Sequence, residues 1–497
     1  MGASRSVAKN TFLLTIGLLS GRALGLVLIK KMTPILGTDG IGIWVTATDL
    51  TAILSVVANF GLSTLLTREI TRAPVLTLPL FWATLRIRWL IGSACYLFLL
   101  GFVHVSGYTE LARAAALLTG LAIFIESTSM ACDSVLQAHE KVQYQSIGQM
   151  VSAVVYFGLG WIWLEAGHGL MGVIWANVVS RIVRLLVMAP LMFWKTGPWR
   201  WRDPDGAIPP DLRWILKLGL PIFLSSTFGI IYNKVDTIMI KGILGDSSAG
   251  IYGLGHRALD MMVIVPNLFG TALFPVMARY GLRSPSDAVR LGERALRFML
   301  ILMLPLTLFL TFVAGPIIHW FDPNREFPDS IPVLMIVIWG LPLYASTIIF
   351  NRLLITANRE RAFVVISLVS MLANIVLNSL LIPRYSYFGA SWATIASVSL
   401  SFVLHVRYLA ATDYKLPLLR ALAGPGVAML MAWGATVALI GFALPDWGIS
   451  WFGLPLDRGW GPFLGSVGVM AVMYALAIAG LRVVRGKDLE LLRELGG

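Results

Sequence analysis

The sequence predicts an all-α fold: a polytopic membrane protein of about fourteen transmembrane helices, in two pseudo-symmetric six-helix lobes followed by two C-terminal helices. Three observations predict it. The 497-residue chain is 57% hydrophobic and only 13% charged, with a mean hydropathy of +0.78, whereas soluble domains carry about 25% charged residues. Its basic residues gather on one side of the alternating connections. A segment near the start recurs at the start of the second half.

Each span needs about 20 apolar residues, and such windows lie at approximately 10–33, 41–66, 87–105, 112–136, 145–165, 169–193, 216–241, 249–276, 296–316, 331–356, 362–382, 388–410, 421–443 and 462–482. The first follows Arg5 and Lys9 and continues through Arg22 to about Ile29 with no small-residue cleavage site. It reads as a retained helix rather than a signal peptide. Counted from a cytoplasmic N-terminus, the even-numbered connections hold most of the 39 Lys and Arg, among them Arg68, Arg72, Arg86, Lys141, Arg283, Arg359, Arg361, Lys415 and Arg485. Cytoplasmic loops carry such an excess, so both termini are expected in the cytoplasm. The net charge of +13 belongs to these loops, and nucleic acid is not an expected partner. Cys95 and Cys132 lie in apolar runs and read as buried free thiols.

The longest inside connection, WKTGPWRWRDPDGAIPPDLRW, follows the sixth span. Its Gly, Pro and charge content marks a linker, and its DPD triplet reads as solvated chain because no soluble domain surrounds it. The domain limits follow: an N-lobe over 1–205, a C-lobe over 206–415, and an appended helix pair with a tail over 416–497. Trp447, Trp451 and Trp460 in the last outer connection read as an interfacial belt. ILGTDGIGIW (Ile35 to Trp44) matches ILGDSSAGIY (Ile243 to Tyr252), an offset of about 208 residues. In that register Asn59 falls on Asn267, Leu65 on Leu273 and Asp49 on Arg257.

Ionisable groups inside spans are costly unless they face a cavity or a partner. Arg22 and Asp49 lie near midspan, roughly 12–18 Å from the nearer helix end at the α-helical rise. Gly17, Gly21 and Gly25 surround Arg22 at a spacing that permits close helix packing. Asp49 is the expected counter-ion for Arg22, which otherwise faces a central cavity. In NKVDTIMI, Asn233 and Asp236 share a helix face while Lys234 points elsewhere; in GHRALD, Arg257 and Asp260 are three apart and able to pair along the helix. Arg22, Lys234 and Arg257 are the candidate substrate-binding cations. Asp49, Asp236, Asp260 and Glu126 are the candidates for gating or ion coupling. His256, beside Arg257, reads as a packed or interfacial histidine. No zinc motif, P-loop or nucleophile elbow is present, so the chain shows no catalytic residues, no cofactor site and no ATP site of its own. Uphill movement of a substrate would draw on a coupling ion, H+ or Na+, the membrane potential or the enzymes around it.

Several stretches resemble the polysaccharide-flippase (Wzx-type) branch of the multidrug/oligosaccharidyl-lipid/polysaccharide exporter superfamily. They are KNTFLLTIGLLSGRALGLVLIKKMTPILGTDGIGIW, ANFGLSTLLTREITR, GLPIFLSSTFGIIYNKVDTIMIKGILGDSSAGIYGLGHRALD and PNLFGTALFPVMARY. The resemblance implies two six-helix lobes working by alternating access in a bacterial inner membrane. It further implies passage of an undecaprenyl-pyrophosphate-linked oligosaccharide from the cytoplasmic to the periplasmic leaflet. The implied partners are the lipid-linked oligosaccharide, membrane lipids, and the glycosyltransferases and polymerase of the same lipopolysaccharide or exopolysaccharide pathway. The lipid II flippase branch typically has an Arg-Asp pair shortly after the Leu-Gly, where this chain has Leu28 and Ile29. That departure points toward an O-antigen, capsule or exopolysaccharide unit. An ion-coupled drug or metabolite antiporter would need a carboxylate-dominated cavity, and a membrane enzyme of the pathway would need a large outer loop. Neither feature is present.

Overall fold

The computed structural model describes residues 2–197, 212–443 and 460–481. The DPD linker, Trp447 and Trp451 lie outside the described residues. Every regular element among the described residues is helical. The chain divides into two compact units, Met1–Gly253 and Leu254–Gly497. The first holds α1 (Gly2–Asn59), α2 (Leu62–Arg72), α3 (Thr77–Val105), α4 (Glu110–Gly120), α5 (Ala122–Ala138), α6 (Gln143–Glu165), α7 (Gly169–Thr196) and α8 (Leu212–Leu244). Helix α9 (Asp246–Met262) starts in it and ends in the second. That unit continues with α10 (Ile264–Arg283), α11 (Pro285–Phe312), α12 (Ala314–Phe321), α13 (Ser330–Val337), α14 (Gly340–Thr356), α15 (Glu360–Ala410), α16 (Leu418–Ala443) and α17 (Trp460–Gly480).

Among the described residues, eleven stretches are long and apolar enough to cross a membrane. Two of them are double. Helix α1 breaks at Gly37 (φ 62°) and α15 at Ser386 (φ 56°), each break separating two spans. With α17 as the last, the chain is a multi-pass membrane protein, and the expected spans find their helices. The fourth and tenth spans are each split into two short helices, α4–α5 and α13–α14. Hydropathy alone does not reveal such breaks, because both halves are apolar. At the first break Gly120 packs closely: a Cβ there would come within 2.4 Å of the end of the Leu99 side chain.

Local chemistry sets several helix starts. The Thr109 hydroxyl accepts from Ala112 N–H at the start of α4, with Glu110 in the first turn. Ser284 does the same for Asp287 N–H at α11, where Pro285 takes the first helical position. In the first unit, a buried cluster of Leu66, Ile70, Phe81, Val135, Met188 and Met192 joins α2, α3, α5 and α7. In the second, Leu308, Met429, Ala432 and Tyr474 join α11, α16 and α17, and the Tyr474 hydroxyl donates to Ile301 O at 3.0 Å. The last two helices are therefore packed on α11.

The repeat has a direct structural counterpart. Gly37 and Gly245 occupy equivalent positions and both have positive φ, 62° and 94°. A side chain there would be strained, whereas glycine is not. Beyond them, α1 and α9 cross with their backbones in contact. A Cβ on Gly42 would lie 1.8 Å from Asp246 O, and a Cβ on Gly250 would lie 2.1 Å from Thr38 O. Gly42 matches Gly250 and Thr38 matches Asp246 in the repeat, so the crossing is a local pseudo-two-fold. The Ser247 hydroxyl donates to the Thr38 hydroxyl at 2.8 Å across it. Alanine at Gly42 or Gly250 should overpack this crossing and destabilise the protein by about 1–3 kcal/mol, lowering its thermal unfolding midpoint in detergent. Gly229 meets nothing within 4 Å of its would-be Cβ, so alanine there should leave the midpoint unchanged or raise it and serves as the control. An unchanged midpoint for Gly250→Ala would refute the backbone contact.

Candidate functional site

Helix α8 begins the second repeat yet belongs to the first compact unit. It runs along the second span of α1, making a seam between the repeats. At one end Phe60 stacks on Phe223 with ring centroids 4.2 Å apart. Gly61 and Gly219 face each other there, and a Cβ on Gly61 would lie 2.8 Å from Gly219 O. At the other end stands the Gly42–Gly250 crossing. Between them Lys234 Nζ lies 3.3 Å from Asp49 Oδ1. Asp49 is buried, at 5% exposure.

This pair corrects the expected arrangement. The counter-ion that the structure gives Asp49 is Lys234, where the sequence pointed to Arg22. Arg22 sits on the exposed side of α1. Lys234, expected to point away from the acidic face of α8, is the residue that reaches across the seam. Asn233 and Asp236 also part company. The exposed Asn233 amide donates back to Gly229 O at 2.6 Å, whereas Asp236 is buried and accepts from the Tyr252 hydroxyl at 2.8 Å. Of the three glycines around Arg22, Gly21 faces Ala153 of α6, with a would-be Cβ contact of 3.2 Å, while Gly25 meets nothing within 4 Å. Close packing at Gly25 is thus overturned. The side-chain surroundings of Gly17 lie outside the described residues.

Lys31 and Lys241 are also paired. Lys31 Nζ lies 3.1 Å from Glu165 and 4.8 Å over the Trp161 ring. Lys241 pairs with Asp246 and sits 4.2 Å over the Tyr108 ring. Burial, aided by the Asp246 charge, pushes the Tyr108 phenol up to about 12.

Glu126 belongs to a different constellation. Arg181 and Arg184 each reach it at 3.2 Å, and Arg184 also reaches Asp133 at 2.6 Å. Nearby, the fully buried Arg88 donates to Ser127 O and Ser63 Oγ. These residues tie α5 to α7 and α3 to α5 and α2. Of these residues the sequence singled out only Glu126 as a candidate, and their grouping was not legible because they come from distant spans.

In the second unit, Asp260 takes two neighbours on its own helix: His256 Nδ1 at 3.5 Å and Arg257 at 3.9 Å. The intrahelical pair expected between Arg257 and Asp260 is present. Buried Asn374, Asn378 and Ser397 form a further polar group, with Asn378 donating to Asn374 Oδ1 at 3.1 Å. Sequence reasoning passed over them because asparagine carries no charge to stand out in an apolar span. Cys95 and Cys132 are buried free thiols. Among the described residues no group of three or more His, Cys, Asp or Glu converges to hold a metal.

A family described as "Polysaccharide biosynthesis protein" matches residues 7–281. The chain belongs to that family. A second family, MatE, matches residues 221–380. Among curated proteins, the chain is 20% identical over 411 residues to a probable low-salt glycan biosynthesis flippase, Agl15, of Haloferax volcanii, covering 82% of this chain and 84% of that one. It is 27% identical over 192 residues to a probable flippase, AglR, of the same organism, covering 37% and 40% of the two chains. Among solved structures it is similar to the lipid II flippase MurJ in an inward closed conformation, with a TM-score of 0.76 and 14% identity over 94% of this chain and 98% of that one. An inward-facing multidrug resistance MATE transporter of the MOP superfamily gives a TM-score of 0.65 and 14% identity over 79% and 95%. These likenesses establish the fold of this polysaccharide biosynthesis protein.

The Asp49–Lys234 pair can be tested as a unit. Removing one partner of a buried ion pair leaves an uncompensated charge and costs about 3–5 kcal/mol. Asp49→Asn and Lys234→Met should each lower the unfolding midpoint in detergent, and the double variant should recover most of the loss. Additive losses in the double variant would show that the two side chains do not act together.

Proposed function

We propose that this protein is a flippase that moves a lipid-linked oligosaccharide across a membrane by alternating access. The observation that carries the reading is the buried Asp49–Lys234 ion pair, at 3.3 Å, on a seam joining the two repeats. Alternating access requires contacts between repeats that break and re-form, and an ion pair flanked by bare backbone contacts is suited to that. The family match and the relatives that carry flippase names support the same reading. A membrane transporter rather than an enzyme fits them all.

The finer assignment is an undecaprenyl-pyrophosphate-linked repeat unit of O-antigen, capsule or exopolysaccharide. It would pass from the cytoplasmic to the periplasmic leaflet of a bacterial inner membrane, with both termini cytoplasmic. The basic loops support that orientation. Arg22 and Lys234 of the first unit and Arg257 of the second are the cations we assign to the pyrophosphate or to acidic sugars, which charge-assisted hydrogen bonds hold well. Lys234 can serve only when it leaves Asp49, so substrate arrival and release of the seam would be linked. Glycosyltransferases would supply the substrate and a polymerase would consume it.

Arg22→Ala should abolish surface polysaccharide while the protein remains in the membrane at its normal level. Normal polysaccharide in that variant would remove Arg22 from the site. The MurJ-like fold favours one second reading, lipid II transport, which a reconstituted assay offering both lipids would separate. Asp49, Asp236, Asp260 and Glu126 remain the coupling or gating carboxylates in this proposal, with H+ or Na+ as the coupling ion. Transport into proteoliposomes should respond to a pH gradient or a sodium gradient, and Asp236→Asn should abolish that response. A rate indifferent to both gradients would exclude ion coupling.

A further inference from the structure

At one end of the second unit, the turn entering α15 and the turn leaving it enclose a cavity of about 770 Å³. A neighbouring cavity of about 660 Å³ shares Arg359, Ala411 and Thr412 with it. Together they are lined by three cationic side chains, Arg359, Arg361 and Lys415, and two carboxylates, Glu360 and Asp413. All five are exposed. Among the described residues no ion pair or side-chain hydrogen bond engages the three cations. Two other cations of the unit do find carboxylates: Arg290 pairs with Asp287 and Arg297 with Glu293. The α15 N-cap, Arg359, makes no side-chain capping bond. The first-turn amides and the positive end of the helix dipole therefore add to the field of the side chains.

An exposed apolar stripe begins at the cavity. Val365 lines it and is also the first of a stripe of exposed residues on α15: Val365, Val369, Leu372, Val376 and Leu380. These positions recur every three or four residues and so share one face. The stripe spans about 22 Å of helix, comparable to most of one bilayer core.

We propose that this place binds an anionic phospholipid. Arg359, Arg361 and Lys415 hold the headgroup phosphate, and an acyl chain lies along the stripe from Val365 to Leu380. Cationic pockets at the basic face of membrane proteins attract such headgroups, each Lys or Arg adding to the affinity. The stripe distinguishes a lipid from a free phosphate, because a soluble anion would gain nothing from it. This site is independent of the transported substrate and of the seam.

The test uses the full-length protein in nanodiscs of equal parts phosphatidylglycerol and phosphatidylcholine, released into native mass spectrometry. The wild type should keep phosphatidylglycerol selectively. Replacing Arg359, Arg361 and Lys415 together with Gln should lower that retention on the order of 100-fold, with little change in the unfolding midpoint because the three side chains are exposed. A charge-matched control, Arg72, Arg86 and Lys141 to Gln, should retain the lipid. Undiminished retention in the first variant, or an equal loss in the control, would overturn the proposal. Displacement of the lipid by millimolar inorganic phosphate would reassign the pocket to a soluble anion and overturn it as well.

Discussion

The backbone contact of α1 with α9 at Gly42 and Gly250 is the constraint on which the rest of the first unit depends. Two helices with side chains at a crossing stand apart by the thickness of those side chains. Here each helix presents a glycine to a carbonyl of the other, Asp246 O on one side and Thr38 O on the other. That proximity brings the start of the second repeat against the first and leads α8 back along α1. In a bilayer the packing of apolar side chains offers little driving force between helices, because lipid tails are as apolar as leucine. Close backbone approach and polar contacts take its place. The Thr38–Ser247 hydrogen bond, the Phe60–Phe223 stack and the Asp49–Lys234 pair are all located by it.

Charge in this protein is treated in two ways according to depth. Along the spans the carboxylates lie beside donors: Asp49 with Lys234, Asp236 with Tyr252, Glu126 with two arginines. An unpaired ion there would be expensive, so pairing is the condition for its presence. At the ends of the helices water relieves the cost, and cations can stand alone. Arg359, Arg361 and Lys415 do so around a cavity, which makes them available to an outside anion. The same chemistry therefore stabilises where it is buried and recruits where it is exposed.

Most of the fold was legible in the sequence. Long apolar windows, the basic loops and the ILG repeat each state a periodicity or a partition, and such patterns survive without knowledge of neighbours. The repeat register even foretold which glycines would match, Gly37 with Gly245 and Gly42 with Gly250. The breaks inside α4–α5 and α13–α14 were not legible, since hydropathy measures transfer to lipid and is blind to a break between two apolar halves. The site was legible only as a set of residue types. Arg22, Asp49, Lys234, Asp236, Arg257 and Glu126 stood out because a charge in hydrocarbon must have a reason. Asn374 and Asn378, neutral and small, gave no such alarm.

The chain alone therefore determined the class of protein, its many membrane-spanning helices, its internal repeat and several of the charges inside them. These follow from the free energy of moving each side chain between water and lipid, which is a local property. The tertiary structure decided the pairing. Asp49 turned from Arg22 to Lys234, Glu126 joined Arg181 and Arg184, and Gly25 was left facing open space while Gly21 packed. Such choices depend on which helices lie side by side, on how each is rotated, and on distances of a few ångströms between residues far apart in the chain. A charge announces in the sequence that it needs a partner, and only the folded helices say which one it has.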